Sequence, residues 1–522
     1  MTSTSSRISD HAIVIGAGVG GLCAAIALLR AGYGVTVLER GSHVGGKMRE
    51  VQAGPARVDS GPTVLTMRWV FDQLFEAAGR RLDDYVALQK LNTLARHAWS
   101  GGASLDLFAD EAASADAIGA FASAADARGF RSFCREAQRM FETLRDPFLT
   151  AQRPTPLTLT SRIGLARIGD LLAIRPFDTM WSALCAHFRD PRLRQLFGRY
   201  ATYCGSSPFN APATLMLIAH VEQDGVWIVQ GGMQRLAEGL QRCAEALGAH
   251  FQFGAEVREI DVGKGRARGV VLRNGERLSA EAVVCNVDPS ALATGLFGQG
   301  VARAAAAARH SERSLSAVTW AAHETARGFP LVRHNVFFSD DYRAEFAALD
   351  RGALPDDPTI YVCAQDRHDA GTAEGAERLF ILANAPARGD THPLTKTELE
   401  ACETAMINRL RRCGLEIAPQ AMTRTAPADF HALFPATGGA LYGRATKGWA
   451  ASFQRPGSRS KIPGLYLAGG GAHPGAGVPM AALSGQLAAQ SVLADRASMR
   501  PFRLAATLGG TSTPSATTSS TA

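Results

Sequence analysis

The first forty residues alternate between two kinds of hydrophobic pattern. A short apolar run at 12–15 precedes a glycine, which is typical of a parallel strand buried on both faces. The Ala/Leu-rich stretch 19–31 predicts a helix, and Gly32 lies where a helix C-cap is expected. The β-branched stretch "GVTVLER" predicts a second strand. Together these elements predict a right-handed βαβ unit.

The pattern changes further along the chain. Residues from about 85 to 215 are predicted to be helical, with interruptions at prolines. A helix followed by short alternating strands begins at "GGMQRLAEGLQRC", and residues 300–430 form another mixed block. A strand, a glycine-rich loop and a helix return in "GLYLAGGGAHPGAGVPMAALSG". These patterns predict an α/β fold whose cofactor domain is assembled from three separated segments.

Composition and charge narrow the function classes. A chain of 522 residues is too long for one ordinary core. The net charge of +7 is dispersed, without a basic stripe interleaved with aromatics, so nucleic acid is not an expected partner, whereas an anionic membrane face is compatible. The nine cysteines are scattered and form no C-x-x-C, which argues against disulfides or a metal site and for a reducing compartment.

The beginning of the sequence and its hydropathy predict the location. "MTSTSSRISD" lacks the apolar core of a signal peptide. No uncharged apolar run is long enough to span a bilayer. We therefore expect a cytoplasmic protein, either soluble or peripheral to a membrane.

The spacing of Gly16, Gly18 and Gly21 is that of the G-x-G-x-x-G dinucleotide loop. The first glycine allows the tight turn, the second lets the backbone approach a pyrophosphate, and the third lets helix and strand pack closely. Glu39 ends the next strand at the distance expected for an acid that binds a ribose hydroxyl. Arg40 raises an NADP alternative, although the retained Glu39 would repel a 2′-phosphate. The loop alone leaves NAD and FAD open.

Four stretches together resemble one family of flavoenzymes. They are the glycine loop with Glu39, the Gly45–Gly46–Lys47 segment, "DSGPTVL", and "GLYLAGGGAHPGAGVPMAALSG". The sequence is similar to the FAD-dependent carotenoid desaturases of the bacterial phytoene-desaturase type, and "YATYCGSSPFNAPATLMLIAHVEQDGVWIVQGGMQRLAEGL" is similar to their central block. Met67–Arg68–Trp69 stands where phytoene desaturases have Asp-Pro, which resembles the 1-hydroxycarotenoid 3,4-desaturases (methoxyneurosporene dehydrogenases) instead.

The resemblance implies a Rossmann-type FAD-binding domain, a mixed α+β substrate domain and a helical membrane-facing part. The expected bounds are a disordered N-terminus 1–10, an FAD domain of 11–84, 225–300 and 440–497, a helical part 85–224, a substrate domain 301–439 and a flexible tail 498–522.

The resemblance also implies a set of cofactor-binding residues. The three glycines of the loop would hold the pyrophosphate, Glu39 the ribose and the backbone of Val257 the adenine region. Gly469, Gly470 and the 477–480 segment would line the ribityl chain and isoalloxazine, with a helix starting near Pro479. The residues expected to contact FAD are Gly16, Ala17, Gly18, Val19, Gly21, Glu39, Arg40, Gly45, Gly46, Lys47, Gly61, Pro62, Val257, Gly469, Gly470, Gly477, Val478 and Met480.

The implied reaction removes two hydrogens from the C3–C4 bond of an acyclic 1-hydroxy or 1-methoxy carotenoid, one as hydride to flavin N5 and one as a proton. The allylic cation is delocalised over the polyene, so a weak base suffices and no catalytic dyad is expected. His473 is the candidate proton acceptor, but we expect a loop histidine fixed by hydrogen bonds. We also expect Glu222 and Asp224 to be exposed charges rather than substrate contacts.

Membrane contact is suggested by "LTLTSRIGLARIGDLLAIRPFDTMWSAL", which mixes leucines and isoleucines with arginines as a basic amphipathic element does. An ordinary helix packed on the cofactor domain fits the same pattern. We expect a lipid-soluble carotenoid substrate and peripheral contact with the inner or photosynthetic membrane. Oxygen and a quinone both stay open as electron acceptors. Other interpretations are a phytoene desaturase, another flavoenzyme of the same architecture such as an amine oxidase or a carotenoid isomerase, or a prenyl-lipid-binding protein of the Rab GDP-dissociation-inhibitor type.

Overall fold

The computed structural model describes residues 10–163, 174–309, 311–368, 375–418 and 420–499. In chain order, the described strands are β1 (His11–Ile15), β2 (Gly34–Glu39), β3 (Glu50–Ala53), β4 (Ala56–Asp59), β5 (Leu88–Lys90), β6 (Thr93–Ala98), β7 (Ser104–Phe108), β8 (Trp227–Val229), β9 (His250–Phe253), β10 (Val257–Gly263), β11 (Arg266–Leu272), β12 (Arg277–Ser279), β13 (Ala282–Cys285), β14 (Ser316–Glu324), β15 (Ala326–Gly328), β16 (His334–Phe337), β17 (Ile360–Ala364), β18 (Glu377–Ala385), β19 (Leu415–Ile417), β20 (Met422–Thr425) and β21 (Leu465–Leu467).

The described α-helices are α1 (Val19–Arg30), α2 (Trp69–Ala77), α3 (Glu111–Phe121), α4 (Ala124–Leu144), α5 (Pro156–Ile163), α6 (Met180–His187), α7 (Pro191–Gly198), α8 (Leu217–Asp224), α9 (Gln234–Ala246), α10 (Pro289–Ala293), α11 (Tyr342–Asp350), α12 (Lys396–Arg412), α13 (Pro427–Leu433) and α14 (Val478–Met499).

In the described part of the chain, β21, β13, β1, β2 and β9 form a parallel sheet in that order. Its strands therefore come from stretches of sequence that lie far apart. One face packs on helices through residues such as Val14 and Val37, and the other packs on the antiparallel β10–β11–β12 sheet through Ile13 and Ile15. Because β1 is covered on both sides, its residues 12–15 are all buried, as the uninterrupted apolar run predicts.

Helices α1 and α14 lie against each other at two glycines. A Cβ placed on Gly485 would lie 2.1 Å from the carbonyl oxygen of Gly20. A Cβ on Gly20 would lie 2.8 Å from the Cα of Gly469. Only residues without side chains allow this approach, which brings the first and last helices of the fold together at the carboxyl end of the parallel sheet.

A mixed sheet in the order β20-β14-β18-β17-β16-β6-β7 forms the second half of the molecule. Successive side chains of strand β18 point to opposite faces of the sheet, and the two faces have different surroundings. Leu379 and Ile381 point into the core shared with α12, whereas Phe380, Leu382 and Asn384 line a cavity on the opposite face. This sheet is therefore both a core element and a cavity wall.

The stretch 85–224, predicted to be helical, differs from that expectation at its start. Strands β6 and β7 lie within it and extend the mixed sheet, with β6 parallel to β16. Such a pairing depends on residues more than two hundred positions away, which a local hydrophobic pattern does not reveal. Strand β5 also lies within it and pairs with β8. The part after β7 is mainly helical, and the aromatic rings of Phe133, Phe188 and Phe197 pack against one another there.

Parts of three predictions fall outside the described residues. Of the predicted disordered N-terminus 1–10, only residue 10 is described. Of the predicted flexible tail 498–522, only residues 498–499 are described, and they belong to α14, which ends at Met499. The centre of the predicted amphipathic element, 164–173, also lies outside. Among the described residues, no helix combines the length and apolar character needed to cross a bilayer.

Candidate active site

The glycine loop between β1 and α1 has the geometry of a phosphate cradle. Gly16 has a positive φ of 92°, and a Cβ on Gly21 would lie 2.1 Å from the Gly16 carbonyl oxygen. A Cβ on Gly18 would lie 2.9 Å from Nδ2 of Asn286. Helix α1 then begins with no side-chain cap and no acidic residue in its first turn. Its free N–H groups and positive dipole end therefore suit an anion such as a pyrophosphate.

Glu39 closes this loop from the neighbouring strand. Its Oε2 accepts a hydrogen bond of 2.8 Å from the Ala17 N–H, and its Oε1 accepts one of 2.8 Å from the Gly41 N–H. The Ala255 N–H donates to the backbone carbonyl of Glu39 at 2.9 Å, so the segment that leads to Val257 runs beside the end of β2. The predicted ribose acid and the predicted adenine strand are thus neighbours.

A second stretch of backbone lies under the loop. The Gly45 N–H donates to the Ala17 carbonyl at 3.0 Å, and a Cβ on Gly46 would lie 3.4 Å from the Cα of Gly18. A Cβ on Gly61 would lie 1.9 Å from the carbonyl oxygen of Lys47. The glycines of the 45–47 segment and Gly61 therefore pack closely under the loop between β1 and α1. The next residue, Pro62, lines the cavity.

The side chains of Arg40 and Lys47 bind backbone carbonyls. The Arg40 guanidinium donates to the carbonyls of Ala432 and Leu433, at the C-terminal end of α13, where the helix dipole favours a cation. Lys47 Nζ donates to the carbonyl of Leu441 at 2.6 Å, and burial lowers the pKa of this lysine. Both side chains therefore tie the 40–47 segment to the 427–441 segment, and their contact with FAD stays a prediction.

The C-terminal glycine loop reaches the same place from the other side. Gly469 has a φ of 99°, and a Cβ there would lie 2.6 Å from Oδ1 of Asn286, whose Nδ2 donates to the Gly16 carbonyl at 3.2 Å. Arg455 Nη1 donates to the Gly470 carbonyl at 3.0 Å. Helix α14 begins at Val478, one residue before the predicted position. Asn286 thus couples the two glycine loops.

His473 is a buried loop histidine, only 3% exposed. Its Nε2 lies 2.9 Å from the carbonyl oxygen of Phe148, and its ring meets the Phe148 ring edge-on at 5.1 Å. Burial lowers the pKa of His473 to about 4. The neighbouring Pro474 lines the cavity, and His473 is not among the described lining residues. The geometry therefore suits a structural histidine better than a proton acceptor.

A cavity of ≈ 590 Å³ extends from the 61–62 and 474–480 segments to the protein surface. At one end it is lined by Gly61, Pro62 and the 474–480 segment. Its walls are mainly apolar, including Leu144, Phe148, Leu159, Ile218, Phe380 and Leu382. At the other end Phe177 and Trp449, which are 77% and 49% exposed, lie 5.9 Å apart.

A buried polar cluster interrupts the apolar wall. The hydroxyls of Tyr200 and Tyr203 each donate to the Glu222 carboxylate at 2.7 Å, and Arg199 Nη1 donates to the Tyr203 hydroxyl at 2.7 Å. Glu222 is 5% exposed, so the expectation of an exposed charge is wrong. The carboxylate can be buried because the two tyrosine hydroxyls donate the hydrogen bonds that water would otherwise supply. Asp224 is exposed, as expected.

A second polar contact joins the loop after Gly61 to the mixed sheet. The Thr63 hydroxyl lies 2.7 Å from the Tyr361 hydroxyl, which in turn lies 2.7 Å from Nδ1 of His334. Burial lowers the pKa of His334 to about 3, so the imidazole is neutral and can accept a hydrogen bond. Sequence reasoning identified none of Arg199, Tyr203, Thr63 or Tyr361, since Glu222, the shared partner of the tyrosines, and Tyr361, the partner of Thr63, lie far away in the sequence.

The parallel sheet and the joined glycine loops are typical of a dinucleotide-binding protein, and a mainly apolar cavity lies beside them. A family description of flavin containing amine oxidoreductases matches residues 19–493, and the chain belongs to this family. It is 50% identical to a hydroxyneurosporene desaturase of Rubrivivax gelatinosus over 98% of both chains, and 45% identical to one of Cereibacter sphaeroides over 94% of this chain and 99% of that protein.

A solved structure shows the same fold at low sequence similarity. Wild-type putrescine oxidase bound to putrescine superposes with a TM-score of 0.60 at 17% identity, covering 93% of this chain and 99% of that one. The predicted FAD cofactor and the predicted relationship to bacterial carotenoid desaturases are therefore confirmed.

Proposed function

We propose that the protein is an FAD-dependent desaturase of carotenoid biosynthesis, which removes two hydrogens from the C3–C4 bond of an acyclic 1-hydroxy or 1-methoxy carotenoid. One observation carries the proposal: an apolar cavity extends from the 474–480 segment, which follows the C-terminal glycine loop, to the exposed aromatic residues Phe177 and Trp449. Long apolar substrates require such a channel. The desaturase names of the relatives at 42–50% identity support the substrate class.

The chain's own residues supply orientation and shielding. When bound, a flavin supplies the acceptor for the two electrons of the oxidation. The apolar wall that includes Ile218, Phe380 and Leu382 would hold the polyene and keep water out. The N-terminus of α14 borders the cavity and has no acidic residue in its first turn, so its positive end favours negative charge beside the 477–480 segment.

We also propose that the cavity mouth rests on a membrane. The substrate class dissolves in lipid, and the exposed rings of Phe177 and Trp449 lie where a carotenoid would enter. Leu157, at the start of α5, is 84% exposed, and Arg162 on the same helix is also exposed. Exposed apolar groups beside a basic residue favour the interface of an anionic bilayer.

Product chromatography tests the proposed reaction. Purified protein reconstituted with FAD is supplied with acyclic carotenoids that carry a hydroxyl, a methoxy group or no oxygen at C1, and with phytoene. We expect loss of two hydrogens and a longer-wavelength absorption for the C1-oxygenated substrates. Desaturation of phytoene would contradict the assignment, as would a cis–trans change without a mass change. A protein that cannot retain FAD would favour a lipid-binding role instead.

A further inference from the structure

The guanidinium of Arg199 is held from one side only. Arg199 is 7% exposed and lines the cavity. Its Nη1 donates to Tyr203, and among the described residues its buried Nε has no hydrogen-bond partner. Burial lowers the pKa of Arg199, but the nearby Tyr203 and Glu222 raise it by more than burial lowers it. The guanidinium therefore stays charged. The cation therefore keeps one hydrogen-bond donor, the buried Nε, without a partner among the described residues, and the residue that carries it lines a mainly apolar cavity.

Such an arrangement is costly unless something binds to it. A buried charge or an unpaired donor is unfavourable in an apolar environment, and Glu222 compensates the charge without using every donor. The group that completes the site must be an acceptor without a formal charge, because Glu222 already balances Arg199. An alcohol or ether oxygen on an otherwise apolar ligand meets both conditions.

The cluster lies beside the loops assigned to the flavin. Arg199 and Tyr203 belong to the 3₁₀ turn Arg199–Cys204, which Gly205 ends with a φ of 63°. A Cβ on Gly205 would lie 2.5 Å from Cδ2 of Tyr442.

Tyr442 connects this turn to the C-terminal glycine loop. Arg455 donates both to the Tyr442 carbonyl and, at 3.0 Å, to the Gly470 carbonyl. On the opposite wall, Thr63 follows Gly61 and binds Tyr361. The turn that carries Arg199 is therefore connected through packed residues to the C-terminal glycine loop, and Thr63 lines the same cavity as Arg199.

We infer that Arg199, positioned by Tyr203 and Glu222, binds the C1 oxygen of the carotenoid and so selects C1-oxygenated substrates; this inference rests on the proposed function. C1 is two carbons from C3, so an anchor for the C1 oxygen also fixes which bond faces the flavin. A donor-only anchor accepts a hydroxyl and a methoxy oxygen alike. It rejects a C1 hydrocarbon end, which offers no acceptor to the donor that Tyr203 and Glu222 leave unused.

Selectivity between two matched substrates is the measurement that tests this inference. The substrates are a carotenoid with a C1 hydroxyl and the same polyene with hydrogen at C1. Arg199→Met keeps the length of the side chain and removes its donors. We expect the ratio of kcat/KM for the two substrates to fall by about ten- to a hundredfold, mostly through KM of the hydroxylated substrate, because a hydrogen bond to a charged group is lost.

Three further variants make the result specific. Arg199→Lys retains a charged donor and should restore part of the ratio. Tyr203→Phe removes the hydroxyl that holds Nη1 and should lower the ratio in the same direction, which keeps the test decisive if Arg199→Met fails to fold. Arg189→Met, an exposed arginine outside the cavity lining, should leave the ratio unchanged.

The outcomes separate the inference from the proposed function. The inference alone is overturned if the wild-type enzyme desaturates the hydroxylated substrate and the variants keep the wild-type ratio of kcat/KM. That result covers variants that lose activity equally on both substrates and variants that lose none. A wild-type enzyme that oxidises neither substrate overturns the proposed function. Quenching of flavin fluorescence by the two carotenoids then still measures whether Arg199 selects the oxygenated end.

Discussion

The Glu39 carboxylate and the Ala17 N–H are joined by a 2.8 Å hydrogen bond across the first two strands of the parallel sheet. The acid that would bind the ribose therefore also fixes the glycine loop that would bind the pyrophosphate. The same carboxylate accepts from Gly41 at 2.8 Å, so its position is set by two backbone donors before any ligand binds. Changes at Glu39 should affect loop geometry and cofactor affinity together.

Replacement of Glu39 should weaken FAD binding. Glu39→Gln removes the charge but keeps an acceptor for Ala17, and we expect the Kd for FAD to rise about tenfold, as for loss of a charged hydrogen bond. Glu39→Arg should weaken binding further, because it places a cation beside the loop donors. Flavin content after gel filtration and fluorescence titration measure both effects. Glu416→Gln, on an exposed position of β19, is the control, and normal flavin retention in Glu39→Arg would refute the ribose role.

The contact between α1 and α14 should tolerate no added methyl group. Gly485→Ala puts a Cβ 2.1 Å from the Gly20 carbonyl oxygen, and we expect a loss of about 1–3 kcal/mol in the free energy of unfolding, despite the higher helix propensity of alanine. Gly300→Ala is the matched control, since no atom lies within 4 Å of its Cβ. Urea unfolding of both variants measures the difference. Equal stability of the two variants would contradict the packing.

His473 should act on stability rather than on catalysis. Its pKa falls from the usual 6.5 to about 4 in the folded protein, so the unfolded chain binds more protons between these values. Its contribution is complete above pH 6.5 and is lost as the pH falls toward 4. The loss amounts to up to about 3 kcal/mol.

His473→Gln isolates that contribution. Glutamine does not titrate, so the free energy of unfolding should depend less steeply on pH between 6.5 and 4 in the variant than in the wild type. We expect kcat at pH 7.5 to stay within about threefold, whereas removal of a general base costs roughly a hundredfold or more. A loss of that size with intact FAD content would show that His473 accepts the proton.

The aromatic mouth should control membrane binding. Phe177→Ser combined with Trp449→Ser removes two exposed rings that line the opening, and we expect weaker sedimentation with anionic vesicles, since each buried apolar side chain contributes about 1.5–3 kcal/mol. Leu296→Ser, at a 49% exposed position outside the described cavity lining, is the control. The double variant should keep its activity on substrate delivered in detergent. Unchanged vesicle binding would disprove a membrane-facing mouth.

Local signals in the sequence explain what could be predicted. The strand before the glycine loop, the helix after it and the start of α14 were predicted within one residue, because apolar runs, glycines and helix boundaries are short-range features. Burial on both faces of β1 follows from the same run of residues. The meeting of the two glycine loops was implied only by the resemblance to a known family.

The polar part of the cavity could not be predicted for a physical reason. A carboxylate such as Glu222 is normally exposed, and it is buried here only because Tyr200 and Tyr203 donate to it. Likewise, the contact of Thr63 with Tyr361 joins residues 298 positions apart. Hydropathy describes each residue alone, whereas the burial of these groups depends on partners that only the fold brings together.

The assembly of the parallel sheet from distant segments has a consequence for synthesis. Asn286 bonds to Gly16 in the first loop and borders Gly469 in the last, and β21 is the edge strand of the sheet that carries both. A ribosome therefore releases nearly all of this chain before the two loops can meet. Until then the parallel sheet has an open edge at β13, so the site formed by both loops can be completed only near the end of translation.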